Sequence, residues 1–200
     1  MILVYCEPDR GVTMNESLTI AVIAGTTRDQ RKSIRAARYI AEFGTGLPNV
    51  QIIFVDPKDF DFPTDGIDTE GKDPRYSNIT ARADAFFIVT PEYNHSFPGS
   101  LKRMLDSEYE NYFHKPVAIA GASSGNWGGV RAVEALSLSV RKMGLVSVRA
   151  NVYFPYIQDL FDERNQPVQS KKGQIDKNIQ NVYDELIWMA RALKHGRTHL

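Results

Sequence analysis

Cysteine is almost missing from this chain: Cys6 is the one thiol among 200 residues. An internal disulfide and a thiolate zinc site are thereby excluded, and a reducing, cytoplasmic setting is the expectation. Long apolar runs are missing too. Nothing approaches the roughly 20 residues that cross a bilayer. The opening MILVYC is short and has no basic residues before it, unlike a signal peptide. Charge of one sign is not in excess, with 24 Lys and Arg against 24 Asp and Glu. The basic surplus typical of nucleic-acid binding is therefore absent, and so is the acidic surplus of a carrier that docks by charge. Neither nucleic acid nor membrane is an expected partner. No internal repeat or low-complexity tract appears.

What remains is the composition of an ordinary globular protein, 42% hydrophobic and 24% charged. The length suffices to bury a core without metal or disulfide staples. Residues 1–16 read as a weakly ordered N-terminal extension that includes a second methionine, Met14. Residues 17–200 read as a single domain, whose last residues, His195 to Leu200, are expected to fray.

Apolar runs alternate with helical stripes. Leu18 to Ala24 (LTIAVIA), Gln51 to Val55, Ala85 to Thr90, Val117 to Ala122 and Val146 to Val152 read as strands buried on both faces. Ser33 to Phe43, Pro98 to Asp106 and Val130 to Met143 read as helices, and Ile175 to Leu193 marks a long final one. Residues 56–74, rich in Asp, Pro and Gly, read as a long loop. This alternation predicts an α/β fold with a five-stranded parallel sheet in the order 2-1-3-4-5 and helices on both faces. Ligands of such sheets bind beyond the carboxyl ends of the strands, where the strand order switches.

Three loops at that edge are unusual. After strand one comes GTTRDQRKS, Gly25 to Ser33. Arg28, Arg31 and Lys32 crowd a helix start, whose dipole end is already positive. A bound anion resolves the conflict, which makes the loop a phosphate cradle; a solvated basic turn is the plain alternative. The segment is neither a P-loop nor a G-x-G-x-x-G fingerprint. After strand three comes TPEYNHSFPG, with Tyr93 and Phe97 beside Asn94, His95 and Ser96. It can offer an aromatic face and backbone N–H groups to a flat heterocycle, or simply cap the core. After strand four comes GASSGNWGG, with four glycines in nine residues. Glycine there means close backbone approach, by a ligand or by a neighbouring loop.

The last loop also matches G-x-S-x-G between a strand and a helix, as in a nucleophile elbow. Ser123 could then be completed by Asp159 or Asp162 and by His195 or His199. Against this serine hydrolase stand the absence of an HGGG-type oxyanion segment and a basic first loop without a task.

Taken together the loops resemble the NAD(P)H-dependent FMN reductase family, which includes azo, quinone and chromate reductases. The family's G-S-T-R-x-x-R is similar to Gly25-Thr26-Thr27-Arg28-Asp29-Gln30-Arg31. Its A-D-A…[TS]-P-E-Y-N-x-S-x-P-G-x-L-K-x-x-L-D block is similar to the stretch from Ala83 through Pro91-Glu92-Tyr93-Asn94 to Asp106. Its S-x-G-x-x-G-G turn is similar to Ser123 through Gly129. The likeness covers residues 18–165. It implies a flavodoxin-like three-layer sandwich, FMN as cofactor, and NADPH or NADH as co-substrate. It implies a homodimer or homotetramer and a small-molecule electron acceptor: a quinone, an azo compound, free flavin or a metal oxyanion. A flavodoxin-like FMN carrier without NAD(P)H activity is the alternative within the same fold. By the family's pattern Thr26, Arg28, Arg31 and Ser33 would hold the FMN phosphate. Pro91, Glu92, Tyr93 and Asn94 would line the isoalloxazine, and Ser123, Ser124, Gly125 and Gly128 its other edge. No side chain is expected to serve as nucleophile or base, because the cofactor carries the chemistry.

Overall fold

The computed structural model describes residues 16–62 and 72–200. The expected extension, apart from Glu16, lies outside them, as do residues 63–71 of the long loop. The elements are β1 (Leu18–Ala24), α1 (Ser33–Thr45), β2 (Val50–Val55), α2 (Pro74–Arg82), β3 (Ala85–Pro91), α3 (Gly99–Asp106), β4 (Pro116–Ala122), α4 (Val130–Lys142), β5 (Val146–Ser147), β6 (Val152–Phe154) and α5 (Gln169–His199). The strands are parallel and ordered β2-β1-β3-β4-β5, with β6 also on β4.

In β1, β3 and β4 the near-continuous apolar runs are explained by burial on both sides, whereas β2, at the sheet edge, is only half-buried. In β1, Leu18, Ile20, Val22 and Ala24 face one core with α1 and α5. Ala21 and Ile23 face the other, with α2, α3 and α4. Alternation with period two thus splits one strand between two apolar layers. Register is set by pairs such as Ile20 with Ile52 and Val22 with Phe87.

Three expectations need correction. The stretch read as a loop up to residue 74 ends in a helix start, and α2 fills the interval before β3. Asp73 caps it by accepting from Arg75 N at 2.9 Å, and Pro74 occupies the first helical position. The stripe of this helix is short: Tyr76, Ile79 and Ala83, set among polar neighbours, face the core. The fifth strand is split: β5 pairs with Pro116 and Val117, β6 with Ala120 to Ala122. Between them Ala150 N turns to the Glu185 carboxylate on α5, at 2.9 Å, so its N–H is satisfied outside the ladder. Finally, the tail does not fray: α5 continues to His199, because Lys194 reaches Asp84 and Glu16 while Arg197 donates to the His114 carbonyl at 2.6 Å.

Candidate flavin site

The loops after β1, β3 and β4 converge at the carboxyl edge of the sheet on a cleft of about 350 Å³. Thr26, Arg28, Arg31 and Ser33 line it from the first loop, Pro91, Glu92 and Tyr93 from the second, and Ser123 and Ser124 from the third. Gln30, Lys32, Ala122, Ile157 and Gln158 complete the wall. Of the residues expected there, Asn94, Gly125 and Gly128 do not line it.

The first loop is held by its own backbone. Gly25 N donates to the Val89 carbonyl at 2.8 Å, and Thr26, almost fully buried, accepts from Arg28 N at 3.2 Å through Oγ1. The Tyr93 hydroxyl lies 3.1 Å from that Oγ1 and joins the first loop to the second. Helix α1 starts without a side-chain cap and with no acidic residue in its first turn. Its free N–H groups and dipole therefore face the cleft uncompensated. Arg31 is neutralised by Asp56, but Arg28 and Lys32 have no ion-pair partner among the described residues. The combination attracts a dianion and repels a cation.

Tyr93 and Ser96 exchange backbone hydrogen bonds at 2.8 and 2.9 Å around a two-residue turn. Asn94 and His95 occupy its left-handed positions, with φ of 48° and 66°. Asn94 thus shapes the turn, for which its residue type is suited. Glu92 has two contacts outside the cleft: its carboxylate accepts from Arg131 N at 3.2 Å and faces Arg131 Nη1 at 3.7 Å. It caps α4, whose own cap position is Gly129. Arg131 in turn lies 5.2 Å from the ring centre of Trp127, which is exposed.

The glycines of the third loop have distinct tasks. Gly129 sits at φ 85°, and a Cβ there would lie 2.6 Å from Ala122 N. The loop therefore folds back onto β4, which answers to close approach by a neighbouring loop. Around Gly125, by contrast, a Cβ would meet nothing within 4 Å. The segment after β6 is tied to this loop by Tyr156 N to the Gly125 carbonyl (3.1 Å) and Ile157 N to the Ser123 carbonyl (3.0 Å). These bonds bring Ile157 and Gln158 into the wall. Sequence reasoning missed both, since no local motif announces them.

The hydrolase arrangement is not assembled. Ser123 Oγ donates to the Gly125 carbonyl at 3.0 Å. Asp162 accepts from the backbone of Arg164 and Gln166 in its own turn. His195 and His199 stack on each other at 4.1 Å near the C-terminus of α5, which is anchored at the amino ends of the strands. They lie at the opposite end of the sheet from Ser123. No cluster of metal-ligating side chains occurs among the described residues.

FMN fits this donor set. Its phosphate needs an open helix start with unpaired cations, and its flat ring needs a cleft walled by apolar and polar groups; the pocket has the size such ligands use. The comparisons agree. The model of the family described as NADPH-dependent FMN reductase matches residues 18–159. A quinone reductase of Pseudomonas putida is 30% identical over 137 residues, 64% of this chain and 72% of that protein. A probable NADPH:quinone oxidoreductase of Oryza sativa is 31% identical over 178 residues, 84% of this chain and 82% of that protein. Among solved structures, the flavoenzyme NAD(P)H:(acceptor) oxidoreductase FerB of Paracoccus denitrificans superposes with a TM-score of 0.72 at 20% identity, covering 86% of this chain and 98% of that one. A match over most of the chain, on the segment that carries the cleft, places this protein in the NADPH-dependent FMN reductase family.

Proposed function

We propose that this chain uses FMN, held in the cleft, to pass reducing equivalents from NAD(P)H to a small-molecule acceptor, and that the acceptor is a quinone. The observation that carries the cofactor reading is the start of α1: an uncapped helix N-terminus with two unpaired cations on a cleft walled by the PEY segment. The relatives named as quinone reductases support the acceptor class. Azo compounds, free flavin and metal oxyanions are the other acceptors to assay. The resemblance supports a homodimer or homotetramer, which a sedimentation measurement tests. The low cysteine content supports a cytoplasmic setting.

The roles follow from position. Thr26, Arg28, Lys32 and Ser33, with the first N–H groups of α1, hold the phosphate. Pro91, Glu92 and Tyr93 flank the ring on one side; Ser123, Ser124 and Ile157 flank it on the other. When bound, FMN supplies the hydride-accepting and hydride-donating centre. The chain's own part is to fix the ring in the cleft, keep one face open to the co-substrate and then the acceptor, and offer positive potential to charge that develops on reduction. Asn94, Gly125 and Gly128 act on the shape of the loops.

A visible spectrum of the purified protein, reconstituted with FMN if colourless, tests the reading. Flavin bands that bleach on anaerobic addition of NADPH or NADH support the reductase. Bound flavin that neither nucleotide bleaches favours the carrier. Failure to bind FMN overturns the reading.

A further inference from the structure

Asp56 stands at the end of β2, outside the cleft wall, yet it reaches the loop that forms the wall. Its carboxylate meets the Arg31 guanidinium fork to fork, with Nη1 donating to Oδ1 at 2.8 Å and Nη2 to Oδ2. The two side chains are only 11% and 12% exposed. Arg31 Nη1 also donates to the Thr26 carbonyl at 2.5 Å. The carboxylate is itself held, because Oδ1 accepts from Lys58 N at 3.0 Å in the turn that follows. A second strut joins the same two segments on the surface: Lys58 Nζ donates to Asp29 at 2.5 Å and holds the Asp29 carboxyl below its ordinary range.

Between the two struts lies Gln30, whose φ of 53° falls in the left-handed region. A residue without glycine's freedom keeps such a conformation only where its surroundings enforce it. Asp29 on one side and Arg31 on the other supply that enforcement. The bend at Gln30 leads directly into the open start of α1 and separates the unpaired Arg28 from the unpaired Lys32. With Arg31 neutralised by Asp56, the attraction for an anion falls on those two cations and on the backbone N–H groups that the bend arranges.

We propose that Asp56 is a positioning residue for phosphate recognition. Acting through Arg31, it fixes the loop 26–32 in the shape that distinguishes FMN from riboflavin, which has the same ring but no phosphate. The inference rests on the FMN reading above. It also fixes a sign. If Arg31 were the phosphate's own cation and Asp56 merely its competitor, removing the carboxylate would tighten FMN binding. If Asp56 positions the loop, removal weakens it.

The test is titration of the apoprotein with FMN and with riboflavin, by quenching of flavin fluorescence, for the wild type and Asp56→Asn, with the thermal midpoint of each. The expected result is a wild type that prefers FMN, and an Asp56→Asn variant whose FMN Kd rises about tenfold, the size of effect typical of residues that orient a binding group. Its riboflavin Kd should stay within about twofold, a ratio that general loss of stability does not produce. Tighter FMN binding, or equal weakening toward both flavins, overturns the inference while leaving the FMN reading intact. A wild type with no preference for FMN over riboflavin overturns both. Should Asp56→Asn fail to fold, Asp56→Glu decides, since it keeps Arg31 and the paired charge and displaces only the carboxylate that holds the loop. Loss of its FMN preference supports the positioning role, and retention of the preference overturns it.

Discussion

The two ends of the sheet use the same side chains in opposite ways. At the amino ends of the strands, Lys194 pairs with Asp84 and Glu16, Arg197 donates to the His114 carbonyl and faces Asp84, and Lys115 donates to the Thr80 and Ala81 carbonyls at 2.7 and 3.1 Å. Those cations join α5, α2 and β4 to the sheet. At the carboxyl ends, Arg28 and Lys32 are exposed and have no ion-pair partner among the described residues, beside a helix start with no side-chain cap. Even the helix starts divide this way: α2 has Asp73 as its cap, whereas α1 has none. Cations that finish the fold are paired within it; cations without partners at a concave edge indicate a ligand of the opposite charge.

The strongest way to break this contrast is to remove the unpaired cations. Charge-assisted hydrogen bonds contribute about 1.5–3 kcal/mol each. Arg28→Ala with Lys32→Ala should therefore weaken FMN binding by about 100-fold or more, since ~1.4 kcal/mol is tenfold in Kd. The denaturation midpoint of the apoprotein should hold or rise, because like charges leave a positive helix end. Calorimetric titration alongside a thermal melt reads both quantities. Unchanged FMN affinity would remove the phosphate assignment.

Asp84→Ala is the mirror experiment at the other end. It strips Lys194 and Arg197 of a partly buried counter-charge and removes the acceptor of Thr19 N at 3.0 Å. Truncating one member of such a network should cost about 2–4 kcal/mol of stability. FMN affinity should be unchanged, as the cleft lies a strand length away. Urea titration and flavin titration of one preparation give both numbers. A loss of flavin affinity without a loss of stability would mean that the two ends are not separable.

The contrast also explains which features could be read from the sequence. Strand positions were legible because burial on both faces leaves unbroken apolar runs, as in LTIAVIA. The three loops stood out by unusual residue types, cations at a helix start, aromatics in a loop and glycines in series; each allowed a plainer local role, and it was the three together that pointed to a ligand. Helix α2 was not legible, because its stripe of Tyr76, Ile79 and Ala83 is short and set among polar residues; its clearer signal was the Asp73-Pro74 start. The break between β5 and β6 depends on Glu185, far away on α5. The tail stays helical to His199 where Lys194 and Arg197 reach Asp84 and the His114 carbonyl. Asp56 as the partner of Arg31 and Ile157 as part of the cleft wall arise from tertiary packing, which no spacing rule records.

A smaller effect sharpens the comparison inside the cleft. Glu92 is an acid among groups that attract an anion, and its hydrogen bond to Arg131 N assigns it to the start of α4. Glu92→Gln keeps an acceptor but loses the charge that favours a helix N-terminus. Stability should fall by about 0.5–1 kcal/mol. FMN affinity should stay or improve, because a negative charge has left the cleft. A marked loss of FMN binding would instead assign the carboxylate itself to the flavin.

Lys115 gives an effect of similar size and adds a direction in pH. Burial pulls its ammonium down to about 8 from an ordinary 10.5. Below that value both the folded and the unfolded chain carry the proton, and the folded chain bears the full cost of a buried charge. Between about pH 8 and 10.5 the unfolded chain still holds a proton that the folded chain has released, so stability rises with pH. Burial raises the phenols of Tyr76, Tyr112 and Tyr183. They act in the opposite direction once unfolded tyrosine ionises near pH 10, so the useful window closes at about pH 9.5. Within it the gain should be about 1 kcal/mol, and Lys115→Met should abolish the slope. Urea denaturation of both proteins at about pH 7.5, 8.5 and 9.5 measures it. A neutral amine still donates hydrogens to the Thr80 and Ala81 carbonyls, so α2 stays joined to β4 as the charge is lost. A wild-type slope that survived in Lys115→Met would have to arise elsewhere than at this buried cation.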